Sequence, residues 1–531
     1  MNLFQAIFKH RAQSAPAILY GQVSISYDTL RERTLTMAKA IAALGAAKTD
    51  RVAILLHDSP EFIEAFIATC SLGAIAVPIN MALRLDEQRT ILNDCGASVA
   101  IIEMDLCNTL LTDVSEKLRH LAKIVVVARG KIDEQSVFRR NRTGLVIHWL
   151  HDLQEEILAL DKPEFPEPAL DDPAFILYTS GSTGEPKGAV HRQADIFYTN
   201  ETFCREVLHL SSQDRLFSSS RLPFAYGLGN SLSFPLLNGA TTILCQKKPT
   251  PIVISEIFRD ARPTVLFGVP VVFNLLLEHH KREQPLDCSS LRICVSAGEA
   301  LPAQLGEEWE TTFGVEVLDG IGSTEMLHMF ISNHENEARY GSSGKVLRGY
   351  EGQLLDEHDN PTAAGVAGNL WVKGASAALG YWQRSEETAR TFVDGWVRTG
   401  DLYRRDGEGW WYHMGRSDDC FKSSGQWVSP VEVEGVLLRH EGVGRIAVVE
   451  DFDSDQLPCA CAFVVRQDVE SGGESGSAQL ERELRALAAA GLPRFKQPRK
   501  YVFVSELPYT ATGKIQRFKL RQELRRREVS K

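Results

Sequence analysis

Short β-branched runs separated by helix-length segments set the tightest limit on how this chain can fold. Val52-Ala-Ile-Leu-Leu, Ser98-Val-Ala-Ile-Ile and Lys123-Ile-Val-Val-Val are apolar along nearly their whole length. Strands of that kind need cover on both faces, which parallel sheets flanked by helices supply. Between the first two runs, Ser59 to Ser71 and Leu85 to Cys95 show helical periodicity. Thr264-Val-Leu-Phe and Leu291-Arg-Ile-Cys-Val repeat the pattern later. The fold class expected is α/β. The most apolar stretch, Ala65 to Leu83, is interrupted by Thr69, Ser71, Gly73, Pro78 and Asn80. A membrane span wants about 18 or more unbroken apolar residues, so this stretch reads as a buried helix–strand pair.

From Gly349 to Tyr412 the pattern changes to short runs such as Glu351-Gly-Gln-Leu-Leu-Asp and Asn369-Leu-Trp-Val-Lys, punctuated by Gly, Pro and Asp. That spacing predicts a small antiparallel barrel or sheet. The polar segment Gly415 to Gly425 reads as a hinge. Beyond it, a helix (Pro430 to Arg439), strands at Ile446 and Cys459 to Val465, a helix (Gln479 to Ala490) and a strand at Tyr501 predict a compact α+β unit. Glu470 to Ser477 reads as a flexible surface loop. The expected division is residues 1–417 and 418–531, a large domain of several subdomains and a small one.

With 58 basic and 69 acidic residues the formal charge is −11, which repels nucleic-acid backbones. The basic run from Arg521 mixes in acids at helical spacing and reads as a solvated helix end. Ten cysteines occur without a C-x-x-C pair or a zinc spacing, as expected of reduced, buried thiols. The N-terminal residues carry no apolar signal core. A cytoplasmic protein with neither a nucleic-acid nor a membrane partner is expected.

The strongest local signal is Tyr178-Thr-Ser-Gly-Ser-Thr-Gly-Glu-Pro-Lys-Gly188, following the apolar run Ala174-Phe-Ile-Leu. Gly181 and Gly184 let successive N–H groups converge on a phosphate. Thr179, Ser180, Ser182, Thr183 and Lys187 add donors and charge. The spacing is not that of a Walker loop, since Lys187 is followed by glycine.

This loop resembles the signature of the adenylate-forming superfamily, which includes acyl-CoA synthetases and adenylation domains. Further motifs of that family follow in order: Gly298-Glu-Ala-Leu, Gly322-Ser-Thr-Glu325, Tyr381-Trp, Trp396-Val-Arg-Thr-Gly-Asp401, Gly415-Arg-Ser-Asp418 and Pro508-Tyr-Thr-Ala-Thr-Gly-Lys514. The resemblance implies a large N-terminal domain of two parallel-type sheets plus a small β-barrel, and a small mobile C-terminal domain. It implies ATP, Mg2+ and coenzyme A as reactants and cofactor, with Glu325 on the metal and Thr324 at the α-phosphate. Gly298, Glu299, Asp319, Gly320 and Ile321 would contact the nucleotide, and Asp401 and Arg416 its ribose. Lys514 would neutralise charge between carboxylate and α-phosphate. Rotation about Asp418 would serve the second half-reaction, with Lys422 and Gly425 at the pantetheine tunnel.

Within the superfamily, Asp319 to His328, Pro223-Phe-Ala-Tyr-Gly-Leu-Gly229 and Lys422 to Glu432 look like the benzoate-CoA ligase subfamily. Ile321 stands where many members carry an adenine-stacking tyrosine, a departure the subfamily shares. The resemblance implies an aromatic-acid pocket of Phe224, Ala225, Tyr226, Gly227, Gly322, His328 and Ile331. His328 would close the pocket as a wall or hydrogen-bond an ortho substituent. The expected activity is an AMP-forming aryl-CoA ligase acting on benzoate, 2-aminobenzoate or a hydroxybenzoate, working as a homodimer. The alternatives are a module loading an acyl-carrier protein, disfavoured by an end soon after Lys514, and a non-catalytic nucleotide-binding regulator.

Overall fold

The structure is a computed structural model that describes residues 2–9, 14–112, 118–128, 145–157, 165, 171–180, 185–282, 285–423, 426–453, 457–467, 474–509 and 515–529. Two compact units divide it. The first comprises Met1–Glu351 and Val372–Val397, the second Gly352–Trp371 and Arg398–Lys531.

Two large sheets build the first unit. In the eight-stranded one, Arg51–Leu55 lies between Ile75–Pro78 and Val99–Glu103, all parallel, with Lys123–Val127 and Val146–Trp149 beyond. These are the apolar runs of the sequence, and Val52, Ala53, Ile54 and Leu55 are fully buried. Helix Pro60–Ser71 starts where the Ser59 hydroxyl accepts from the Phe62 amide at 3.4 Å, with Pro60 in the first turn. Phe62 through Ser71 are all buried, which accounts for a helix that is apolar around most of its circumference. The expected helix–strand pair over Ala65–Leu83 is this helix followed by Ile75–Pro78. Helix Leu85–Cys95 stops at Gly96, whose φ of +65° is the left-handed C-terminal stop.

The nine-stranded sheet runs from Lys345–Val346 through Met329–Ser332, Val317–Gly322, Ile293–Ser296, Val265–Gly268, Arg215–Ser218 and Thr241–Leu244 to Pro16–Tyr20 and Val23–Ser26. One carboxylate gathers the entries of four of these strands. Asp214 accepts from Arg292 Nε (2.8 Å), the Thr264 hydroxyl (2.8 Å) and the Ser211 amide (2.8 Å), while its carbonyl receives the Thr241 amide (2.9 Å). Burial pushes this carboxyl up, but the Arg292 guanidinium and these donors outweigh it and hold it below the ordinary range.

In the second unit, strands Val443–Phe452 and Pro458–Arg466 pair antiparallel, and Lys500–Phe503 joins in parallel. Helices Pro430–Leu437, Glu474–Gly491 and Arg517–Val529 accompany them, the α+β composition expected. Cys459 and Cys461 are both buried on one face of Pro458–Arg466. All ten cysteines are free, nine of them buried and Cys245 half-buried. A five-stranded sheet includes Ala367–Lys373, Trp396–Arg405 and Trp411–Arg416. One sequence expectation fails in part. Glu474 to Ser477, read as loop from its Gly/Ser content, forms the first turn of helix Glu474–Gly491. The Leu480, Leu484 and Ala488 stripe packs on the core and carries the helix back over the weak formers. Residues 470–473 lie outside the described residues. Among the described residues, no helix is long and apolar enough to cross a membrane.

Asp214→Asn should lower the unfolding free energy at neutral pH by about 1–2 kcal/mol, because the carboxylate's charge-assisted hydrogen bonds to the partly exposed Arg292 are weakened. Because the folded carboxyl sits below its ordinary value of 3.8, its contribution is complete above that value and is lost as pH falls through the depressed folded value. Chemical denaturation at neutral and acid pH measures both, and equal stability of variant and parent at neutral pH would contradict the role.

Candidate active site

The signature loop sits on a β-hairpin. Strands Pro173–Ser180 and Pro186–Arg192 pair antiparallel, with Tyr178 opposite Gly188 and Thr179 opposite Lys187. A Cβ on Gly188 would lie 2.6 Å from Ile176 Cγ2, so the strands close only over glycine. The hairpin is clamped at its base. Tyr178 donates its hydroxyl to Asp94 (2.6 Å), Arg384 donates to the other carboxylate oxygen (2.8 Å), and the Trp382 amide donates to the Gly188 carbonyl (2.7 Å). Gly181, Ser182, Thr183 and Gly184 lie outside the described residues. Ser180 closes the ladder opposite Pro186. Lys187 Nζ stands 5.7 Å from the Tyr381 ring centre, a cation–π distance.

Strand Val317–Gly322 leads into a tight turn, Thr324–Met326, capped by the Ser323 hydroxyl accepting from the Met326 amide at 3.2 Å. Tyr381 donates its hydroxyl to Glu325 Oε1 at 2.7 Å, and the Ala378 amide donates to the Glu325 carbonyl at 2.8 Å. His191 Nε2 lies 2.7 Å from the Thr324 carbonyl. Glu325 is half-buried, and among the described residues no cluster of three or more His, Cys, Asp or Glu could hold a metal. A single protein carboxylate fits Mg2+, which keeps waters and takes its remaining oxygens from substrate phosphates.

Past the turn, His328 opens the return segment and is 3% exposed. Its ring lies against Phe234 (4.6 Å), Phe203 (5.1 Å) and Tyr226 (5.5 Å), and Nε2 meets Asn230 Oδ1 at 3.1 Å. Burial drives its pKa down to about 3, so the imidazole is neutral. Nε2 therefore carries the proton given to Asn230, and Nδ1 is buried with no side-chain hydrogen-bond partner among the described residues. The Tyr226 hydroxyl donates to the Val295 carbonyl at 3.1 Å, which turns its ring, not its polar tip, toward His328. Half-buried Phe224 precedes the short helix Ala225–Leu228, which contains Ala225, Tyr226 and Gly227. A Cβ on Gly227 would stand 2.0 Å from the Arg221 carbonyl oxygen, and one on Gly322 2.6 Å from that of His328. Ile331 pairs directly with Ile321 across the ladder. A residue expected at the nucleotide and one expected at the acid therefore share one sheet face.

Asp319 is 2% exposed in the same strand, and burial pushes its carboxyl well up. Gly320 pairs with Ser332. Gly298 (φ +90°) and Glu299 are exposed after strand Ile293–Ser296. In the second unit, Arg416 Nη1 donates to Asp401 Oδ1 (3.1 Å) and to the Thr399 carbonyl (2.9 Å), and His413 stands 3.6 Å from the same Asp401 oxygen. Asp418 is exposed in the turn after strand Trp411–Arg416. Lys422 pairs with Glu357 at 2.7 Å. Lys514 and Gly425 lie outside the described residues. A cavity of about 460 Å³ lined by His209, His334, Glu337 and Lys345 contains none of the expected site residues.

Several residues now evident at the site were not singled out by sequence reading. Tyr381 stood in a motif without a role, and Asn230, His413, Asp94, His191 and Asp195 carried none. The only local signal was a histidine and an aspartate four apart (His191, Asp195), just beyond the loop.

The chain belongs to the AMP-binding enzyme family, which it matches over residues 5–382, with the AMP-binding enzyme C-terminal domain matched over residues 432–514. Within that family it is 40% identical over 505 residues to the benzoate-CoA ligase of Thauera aromatica, covering 94% of this chain and 90% of that one. An anthranilate-CoA ligase solved in complex with anthranoyl-AMP superposes with a TM-score of 0.88 at 34% identity, covering 99% of this chain and 97% of that one. A benzoate-CoA ligase from Burkholderia xenovorans superposes with a TM-score of 0.84 at 35% identity, covering 98% and 100%.

Because the folded His328 stays neutral down to about 3 while an unfolded histidine protonates near 6.5, acid favours the unfolded chain. The penalty is absent above 6.5 and grows by about 1.4 kcal/mol per pH unit as pH falls from 6.5 toward 3. Unfolding free energies of His328→Gln should therefore fall less steeply with acid than those of the parent between these limits. Parallel pH profiles would contradict the neutral, sealed imidazole.

Proposed function

We propose that this chain is an AMP-forming aryl-CoA ligase activating a benzoate-type acid, namely benzoate, 2-aminobenzoate or a hydroxybenzoate. ATP and coenzyme A are its co-substrates. In the first half-reaction a carboxylate oxygen attacks the α-phosphorus and pyrophosphate leaves, giving aroyl-AMP. In the second, the CoA sulfur attacks the acyl carbon, AMP leaves with the shared oxygen, and the thiol proton is released.

One observation carries this reading: the Thr324–Glu325 turn and the aromatic surround of His328 lie on one strand pair, three residues apart. A flat acid held against Tyr226, Gly322, His328 and Ile331 would present its carboxylate toward the turn. Phe224, Ala225 and Gly227 would complete the apolar wall. Glu325 would hold Mg2+, which when bound offsets phosphate charge. Residues 179–184 with Lys187 would cradle the phosphates, and Thr324 would meet the α-phosphate. Gly298, Glu299, Asp319, Gly320 and Ile321 would border the adenine, and Asp401 with Arg416 the ribose. Lys514 would supply the ammonium at the reacting oxygens. The functional boundary would fall at 417/418, with rotation about Asp418 between half-reactions and with Lys422 and Gly425 serving the thiol. A cytoplasmic homodimer accompanies this reading, and light scattering on the purified chain reports the association state.

A pyrophosphate-release screen with CoA over benzoate, its amino and hydroxy derivatives and medium-chain fatty acids tests the substrate class. Release confined to the arene acids is expected, and release with fatty acids alone would overturn it. Lys514→Ala should cut aroyl-AMP formation by about 100-fold or more while sparing thioester formation from supplied aroyl-AMP. Normal pyrophosphate release in that variant would refute the lysine assignment. Gly425→Leu should do the reverse, sparing adenylation and blocking transfer to CoA. Equal loss of both half-reactions would count against the tunnel.

A further inference from the structure

We propose that His191, held by Asp195, is a positioning residue for adenylation that fixes the Thr324–Glu325 peptide against the strand carrying Lys187. The proposal rests on the reading of that turn as the phosphate and metal turn.

His191 sits four residues beyond Lys187 on strand Pro186–Arg192 and is completely buried. Its Nε2 is 2.7 Å from the Thr324 carbonyl oxygen, which can only accept, so Nε2 carries a hydrogen. Its Nδ1 is 2.9 Å from Asp195 Oδ2. Asp195 is also completely buried; it accepts from the Arg192 amide (3.0 Å) and Arg192 Nε (2.9 Å), and Arg192 Nη2 stands 2.8 Å from the same carboxylate. Both ring nitrogens therefore have polar partners, one on the turn and one on the hairpin. Its ring stacks with that of Phe175, with centres 5.3 Å apart and planes 17° apart, which fixes the plane of the imidazole.

A histidine that only filled space would leave one nitrogen facing apolar atoms. Here both ends are engaged, and the outer one grips the peptide bond between the two residues expected at the α-phosphate and the metal. That hydrogen bond fixes the plane of the Thr324–Glu325 peptide, while Tyr381 fixes the Glu325 carboxylate. The same ring is tied to the hairpin through Asp195 and the Arg192 backbone. The turn and the strand carrying Lys187 therefore hold their spacing, which adenylation requires and which transfer from preformed aroyl-AMP does not.

The two half-reactions, assayed separately on the full-length enzyme, test this. ATP–pyrophosphate exchange with benzoate reports adenylation, and thioester formation from supplied benzoyl-AMP and CoA reports transfer. His191→Leu should lower the kcat of exchange by about 100-fold, with the benzoate KM and the transfer rate changed less than about 3-fold. His191→Gln, whose amide can still donate to the Thr324 carbonyl, should recover about ten-fold of that loss. Asp195→Asn should lower exchange by about ten-fold with transfer unchanged. Equal loss of both half-reactions, or no advantage of Gln over Leu, overturns the proposal. Should the Leu variant not fold, unchanged exchange in the Gln and Asn variants overturns it equally. Absence of exchange in the parent enzyme with every arene acid would refute the reading of the turn itself, whereas normal parent exchange with unaffected variants refutes the dyad alone.

Discussion

Three consecutive residues after Ser323 are held by donors from stretches far away in sequence. The Thr324 carbonyl meets His191, the Glu325 carbonyl meets the Ala378 amide, the Glu325 carboxylate meets Tyr381, and the Met326 carbonyl meets the Ser376 hydroxyl at 2.9 Å. A short turn has too few internal hydrogen bonds to define its own shape. Here the shape is imposed from outside by groups on the loop hairpin and on residues 376–381. Charge that develops on phosphate oxygens is stabilised only by groups already in place when it appears, because reorganisation at that moment would cost what the interaction gives. On the proposed reading, the anchoring of this turn meets that requirement.

The neighbouring surround of His328, proposed as the acid pocket, follows the opposite rule. Its central polar side chain is stripped of charge, with His328 neutral, sealed among Phe203, Tyr226 and Phe234 and occupied on one nitrogen by Asn230. Tyr226 directs its hydroxyl into the backbone of the neighbouring sheet. On the proposed reading, a flat ring would meet neutral, mainly apolar surface, and the charge of its carboxylate would be met at the turn. Walls of this kind separate close analogues by only about 1–3 kcal/mol per methylene-sized difference, so one lone pair such as His328 Nδ1 can weigh as much as a whole wall contact.

The fold was legible wherever local pattern and tertiary environment agree. Lys123–Val127 and Leu85–Cys95 fall at the positions their patterns indicate, because an all-apolar strand is stable only when covered and a helix closed by Gly96 has a defined end. Glu474–Ser477 was misread because its small polar residues have no packing signal of their own and are ordered by the leucine stripe that follows. Strand order was not legible either: nothing local tells Ile75–Pro78 that its parallel neighbour is Pro173–Ser180. At the site, Thr324, Glu325 and His328 were marked by a motif. Their partners were not, since Tyr381, Asn230 and His191 act through contacts that only the folded sheets create. Contiguous motifs mark the residues expected to touch substrate. The groups that hold them are scattered.

Everything turns on an acyl oxygen reaching the α-phosphorus at the Thr324–Glu325 turn. The most direct measurement is oxygen tracing with benzoate carrying 18O in both carboxylate positions, in the presence of ATP and CoA. Attack of the carboxylate on the α-phosphorus followed by thiol displacement places one label in AMP and leaves one in the thioester. Appearance of one labelled oxygen per AMP is the predicted result. Unlabelled AMP, or formation of ADP in its place, would contradict an aroyl-adenylate at this turn.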